Sequence, residues 1–140
     1  TKSSAHIYEG TGSTLGYAID GVEAPFLEFK PGNTYRFDQS DSTNSGHPLL
    51  FYYDPGKTTQ FSTGVTTNGT PGSAGAYTQI VVSDTTPHIL YYQCSVHGYM
   101  GSRIGVNSKT LQDTSFVDST GTAISFATNA FAIAQAVALG

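Results

Sequence analysis

Along most of the chain, large apolar or aromatic residues recur at every second position, and the stretches between these runs are short and polar. That period belongs to β-strands, whose successive side chains point to opposite faces. Residues 76–83 show it most clearly, with Tyr77, Gln79 and Val81 alternating with Thr78, Ile80 and Val82. Further strands are predicted over 15–19, 24–29, 34–37, 47–53, 88–94 and 103–106. Phe26, Leu27 and Phe29 are expected to touch the core, and Tyr35 and Phe37 to share one face. Lys30-Pro31-Gly32-Asn33 has turn chemistry, with Pro fixing one φ and Gly supplying a positive one. That turn predicts an antiparallel pair of 24–29 with 34–37. Residues 38–46 form a polar loop, Asp54-Pro55-Gly56 ends a strand, and 57–75 reads as a long Gly/Thr-rich loop. Loops of that length in compact domains are usually functional or flexible. No amphipathic helix is evident before the last thirty or so residues. The expected class is all-β, a Greek-key antiparallel β-sandwich.

The pattern changes near the C-terminus. Residues 107–121 are polar and rich in Thr and Ser, as in a linker, whereas 123–139 are apolar and carry no charge. Phe131, Ile133, Val137 and Leu139 are separated by Ala at alternate positions. This is a strand period written largely in the strongest helix former, so strand and helix readings conflict. An extended segment pairing with a neighbour is expected, with a last strand or helix on the same domain as the alternative. The organisation is therefore 1–106 as a β-sandwich and 107–140 as linker and apolar C-terminal assembly arm. Such an arm implies a homo-oligomer or other partner proteins, since exposed apolar segments mark contacts.

Composition narrows the setting. Charged residues make up 11% of the 140 positions, against about 25% in typical globular domains. Ser, Thr, Gly and Asn take their place, as suits extracellular, virion or fibre surfaces. The net charge of −4 and pI near 5.3 argue against nucleic acid, which would want a basic patch. A single cysteine excludes an internal disulfide. No run of 18 or more apolar residues suggests a membrane span. The first residue is Thr, which suggests a processed start or a piece of a longer chain.

The chemistry concentrates in the run 91–101, Tyr-Tyr-Gln-Cys-Ser-Val-His-Gly-Tyr-Met-Gly. It holds the only cysteine, Cys94, and the only methionine, Met100, with His97 midway between them. A lone Cys is commonly a small buried hydrophobe and a lone Met a core filler. Both sulfur residues bracketing a histidine at the end of an apolar strand is better explained by a metal loop. Thiolate, imidazole and thioether suit a soft or borderline metal, copper above all. His47, in Ser-Gly-His-Pro, would complete a His2Cys site with a weak axial Met. His6 is expected at the surface or on an edge strand. His88 begins the strand that Cys94 ends, about 20 Å away, too far to join the same ion. The tyrosines read as packing residues, with Tyr92 and Tyr99 flanking the loop. Asp38, Asp41 and Asp54 have no partner at a telling spacing. Cys94 as a nucleophile with His97 would leave Met100 without a role, so no enzyme is expected.

The segment resembles the ligand loop of the blue-copper (cupredoxin) family in its shortest, amicyanin-like form, over about residues 5–106. By that resemblance His47 is the upstream histidine, Cys94 the thiolate, His97 the second histidine and Met100 the axial thioether of a mononuclear, type 1-like copper site. One departure stands out. In the family the residue after the first histidine usually gives its N–H to the cysteine sulfur, and here it is Pro48, which has none. A more electron-rich sulfur and a low reduction potential are then expected. The run 64–82, followed by Leu90-Tyr-Tyr-Gln-Cys, also resembles modules in virion structural proteins of marine tailed phages, especially those of cyanobacteria. These resemblances imply a copper-binding module of a capsid decoration, tail or fibre, located in a virion or outside the cell. A free, periplasmic electron-transfer protein and a metal-free structural sandwich are the alternatives.

Overall fold

The computed structural model describes residues Thr1–Ser108, so from position 109 onward the expected linker and arm lie outside the described residues. Ten strands form there: β1 (Ala18–Ile19), β2 (Val22–Glu23), β3 (Leu27–Phe29), β4 (Thr34–Asp38), β5 (Leu49–Tyr52), β6 (Gln60–Phe61), β7 (Val65–Asn68), β8 (Tyr77–Val81), β9 (Ile89–Cys94) and β10 (Ser102–Val106). A single 3-10 turn at Ser42–Asn44 is the one helical element among the described residues. The all-β expectation holds.

The strands build a five-stranded sheet in the order β3-β10-β9-β5-β6, a three-stranded sheet β4-β8-β7 and the small β1-β2 hairpin. The period-2 pattern explains the core between the two larger sheets. Leu49 and Phe51 of β5, Leu90, Tyr92 and Cys94 of β9, and Ile104 and Val106 of β10 all turn inward and are buried. Ile80 and Val82 face them from the other sheet, joined by half-buried Tyr35, Phe37 and Val65. Phe37 bridges the sheets, with its ring 5.7 Å from Phe51 and 6.3 Å from Tyr92. Aromatic contacts at such spacings add about 0.5–1.5 kcal/mol each beyond simple burial.

Several expectations are corrected. Residues 24–29 and 34–37 do not pair: β3 joins β10, and β4 joins β8 in the other sheet. The Lys30–Asn33 turn crosses between layers, and Phe29 and Tyr35 meet as rings stacked 4.0 Å apart rather than as ladder partners. The Tyr35 hydroxyl accepts from the Lys30 N–H at 2.9 Å, closing the crossing. Second, the sheet is not wholly antiparallel, because β3 runs parallel to β10. Third, the 57–75 stretch is not one loop but contains β6 and β7; of the strand predicted over 15–19, only β1 forms. Fourth, Phe26 is 49% exposed. It lies on the outer face, over Gly105 and under the Arg103 guanidinium, which is 4.7 Å from the ring centre.

Candidate metal centre

Register brings the upstream histidine to the ligand loop. β5 and β9 run antiparallel with Leu49 opposite Cys94, so the start of one strand adjoins the end of the other. The ladder continues one step, as Ser95 N–H donates to the Pro48 carbonyl at 2.8 Å. His47 shares its parity with inward Leu49 and Phe51, and therefore falls on the same side as Cys94. The preceding 3-10 turn is capped by Asp41, whose carboxylate accepts from Thr43 N–H at 2.9 Å. His47 N–H then closes onto Asn44 O at 2.8 Å, with Gly46 at φ 76° making the bend.

The loop after Cys94 folds back on itself. His97 N–H donates to Cys94 Sγ at 3.3 Å, which returns the imidazole to the sulfur. Tyr99 sits at φ 62°, a left-handed conformation that costs a side-chain-bearing residue about 1–2 kcal/mol. Met100 then turns into the same core cluster as Cys94 and is 3% exposed. A Cβ on Gly101 would overlap the Tyr92 carbonyl oxygen, so the loop rejoins β10 only through glycine. Gly101 N–H donates to Gln93 Oε1 at 2.9 Å.

His47, Cys94 and His97 converge, each with a ligand atom within 4.8 Å of the others. Cys94 Sγ lies 3.8 Å from His47 Nδ1 and 3.7 Å from His97 Nδ1. For metal–sulfur and metal–nitrogen bonds of about 2.3 and 2.05 Å, these separations correspond to angles at the ion of roughly 122° and 116°. The three side chains could hold a metal ion. Cys94 forms the buried floor, His47 is half-buried and His97 is exposed. The His47 pKa is lowered, first by burial and then by the neighbouring charge of His97, which favours the neutral ligand form.

Several supporting residues escape sequence reasoning. Gln39 is buried; its Nε2 donates to His47 O at 3.0 Å and its Oε1 accepts from Leu49 N–H at 3.0 Å. It spans Pro48, which has no N–H to offer. Its signal was a polar residue continuing the inward parity of Tyr35 and Phe37. His6, expected at the surface, is 3% exposed. Its Nδ1 accepts from Tyr8 N–H at 3.0 Å, so Nε2 carries the proton toward Met100 O, 3.2 Å away. The N-terminal segment covers the loop further through Ser13 N–H to Gly98 O at 3.0 Å and the Tyr8–Tyr99 ring contact at 5.2 Å. Of the two flanking tyrosines, Tyr92 is a core residue and Tyr99 meets Tyr8. His88 stands at the opposite end of β9 from Cys94, with Nδ1 3.1 Å from Ser108 Oγ. Asp38, Asp41 and Asp54 act locally as turn caps, held below the usual carboxylate range first by hydrogen bonds from Ser40, Thr43 and Thr58 respectively.

Comparison with protein-family models, curated proteins and solved structures gives no match. No helix among the described residues is long and apolar enough to cross a membrane.

Proposed function

We propose that this chain is a cupredoxin-like module that binds one copper ion through His47, Cys94, His97 and Met100, and that it serves within a phage virion structural protein. The observation that carries the metal reading is the clustering of one sulfur and two imidazoles, with the sulfur 3.8 and 3.7 Å from the two nitrogens. Thiolate plus two imidazoles suits copper, and a long thioether contact from Met100 would complete the set. Bound copper would supply one-electron chemistry between Cu(I) and Cu(II). The chain's part is to hold the donors in one arrangement for both states, and to keep water from the sulfur while leaving His97 at the surface. The virion setting rests on the resemblance of residues 64–82 and 90–94 and on the low-charge, Thr/Gly-rich composition.

Metal analysis of the purified protein and titration with Cu(II) test the site. The expected result is one equivalent of copper with intense visible absorption, lost in Cys94→Ser. Absence of uptake would leave the metal-free sandwich. Met100→Leu, a near-isosteric change, should keep the metal but raise the reduction potential. Exposed His97, with Val96 63% exposed beside it, favours the free electron-transfer protein as second reading. A monomer by light scattering that exchanges electrons with a small donor would support it over an assembled module.

A further inference from the structure

We propose that Tyr17 is a positioning residue that fixes the distance between the two halves of this metal site. The inference rests on the metal-binding reading above. The halves come from separate segments, His47 on one and the 94–100 loop on the other. Their shared ladder ends at the Ser95–Pro48 step, and the proline nitrogen cannot extend it. Tyr17 bridges what lies beyond. Its backbone N–H donates to Met100 O at 2.7 Å, and its hydroxyl donates to His47 O at 2.7 Å. One residue thus touches both ligand segments, while its ring is buried in the cluster that contains Cys94.

Tyr17 is itself well held. Ala24 N–H donates to its carbonyl at 2.9 Å. The preceding Gly16 passes so close to His6 that a Cβ there would lie 2.7 Å from the imidazole. A phenol ring has few rotatable bonds, so a ring anchored at both ends acts as a spacer of fixed length. Gln39 Nε2 is a second donor to His47 O. Removing the Tyr17 hydroxyl therefore leaves that carbonyl paired, and the fold survives while the spacing relaxes.

The test compares Tyr17→Phe with Tyr92→Phe in the full chain. Tyr92 is another buried phenol whose hydroxyl donates to a carbonyl at 2.7 Å, but that carbonyl belongs to Pro25, which is on neither ligand segment. Both variants should lose similar thermal stability. Only Tyr17→Phe should shift the sulfur-to-metal charge-transfer band of Cu(II)- or Co(II)-loaded protein and weaken binding by about tenfold, the lower end for residues that orient ligands. In metal-free protein, only Tyr17→Phe should move the His47 imidazole resonances. If the two variants match in band, affinity and resonances, the positioning role is overturned. If wild-type protein takes up neither ion, the metal reading falls, and the metal-free resonances alone decide whether Tyr17 positions His47.

Discussion

Replacing Cys94 with serine separates what the sulfur does for the fold from what it does for the ion. Cys94 is fully buried, opposite Leu49 in the ladder, and serine is nearly its size. The hydroxyl would keep one partner, since His97 N–H already reaches Sγ at 3.3 Å. A buried hydroxyl with no partner costs about 1–3 kcal/mol. With this partner retained, metal-free Cys94→Ser should lose about 1 kcal/mol, or about 4–8 °C in Tm for a domain of this size. The metal response should be far larger. An ion at one hundred times its Kd stabilises the native state by about 2.7 kcal/mol, which is about 10 °C or more. Wild type is expected to reach that, because the thiol lies 3.7 and 3.8 Å from the two imidazole nitrogens. Serine does not ionise near neutral pH and is a hard donor, so the variant's metal-induced shift should fall by more than half. Calorimetric melts with chelator and with Cu(II) provide the measurement. Equal shifts in wild type and variant would refute the role given to the sulfur.

Three further outcomes are expected. By the cupredoxin resemblance, Pro48→Asn supplies the N–H that the family gives to the sulfur, and should raise the reduction potential of the copper-loaded protein; voltammetry giving an unchanged or lower value would contradict the account of Pro48. Gly101→Ala forces a Cβ into the Tyr92 carbonyl and should cost about 1–3 kcal/mol or more by chemical denaturation, with weaker metal uptake because Met100 precedes it. Wild-type stability there would mean that the loop exit is looser than described. The Glu23 carboxyl is held below its ordinary value of 4.5 by hydrogen bonds from Ser3. That anchoring is complete above pH 4.5 and is lost as pH falls through the depressed native value. The Ser3 amide resonance should therefore move on acidification in wild type and not in Glu23→Gln; a Ser3 resonance indifferent to pH would count against the clamp.

Local pattern was enough for the strand content and for the His47, Cys94 and His97 cluster that could hold an ion. Alternation at 77–82 and 88–94 specified which side chains turn inward, because a strand has a fixed period of two. The rarity of sulfur in the chain drew attention to Cys94 and Met100, and the spacing to His97 ensured a loop short enough to fold back. His47 followed from its place just before an apolar strand. Pairing partners were another matter. The turn at 30–33 has the chemistry of a hairpin, yet β3 and β4 went to different sheets, with Phe29 stacked on Tyr35 across the crossing. Phe26 carries the same apolar label as Phe29 but lies on the opposite face, a difference of parity that composition does not contain. Gln39, His6 and Tyr17 are separated from the residues whose carbonyls they bond by 8, 94 and 30 positions respectively. Sequence by itself determined the alternating strands and the thiol and two imidazoles that cluster at one end of them. Tertiary structure alone decided which backbone carbonyls those distant side chains would hold, since hydrogen bonds form between neighbours in space and the chain order does not say who those neighbours are.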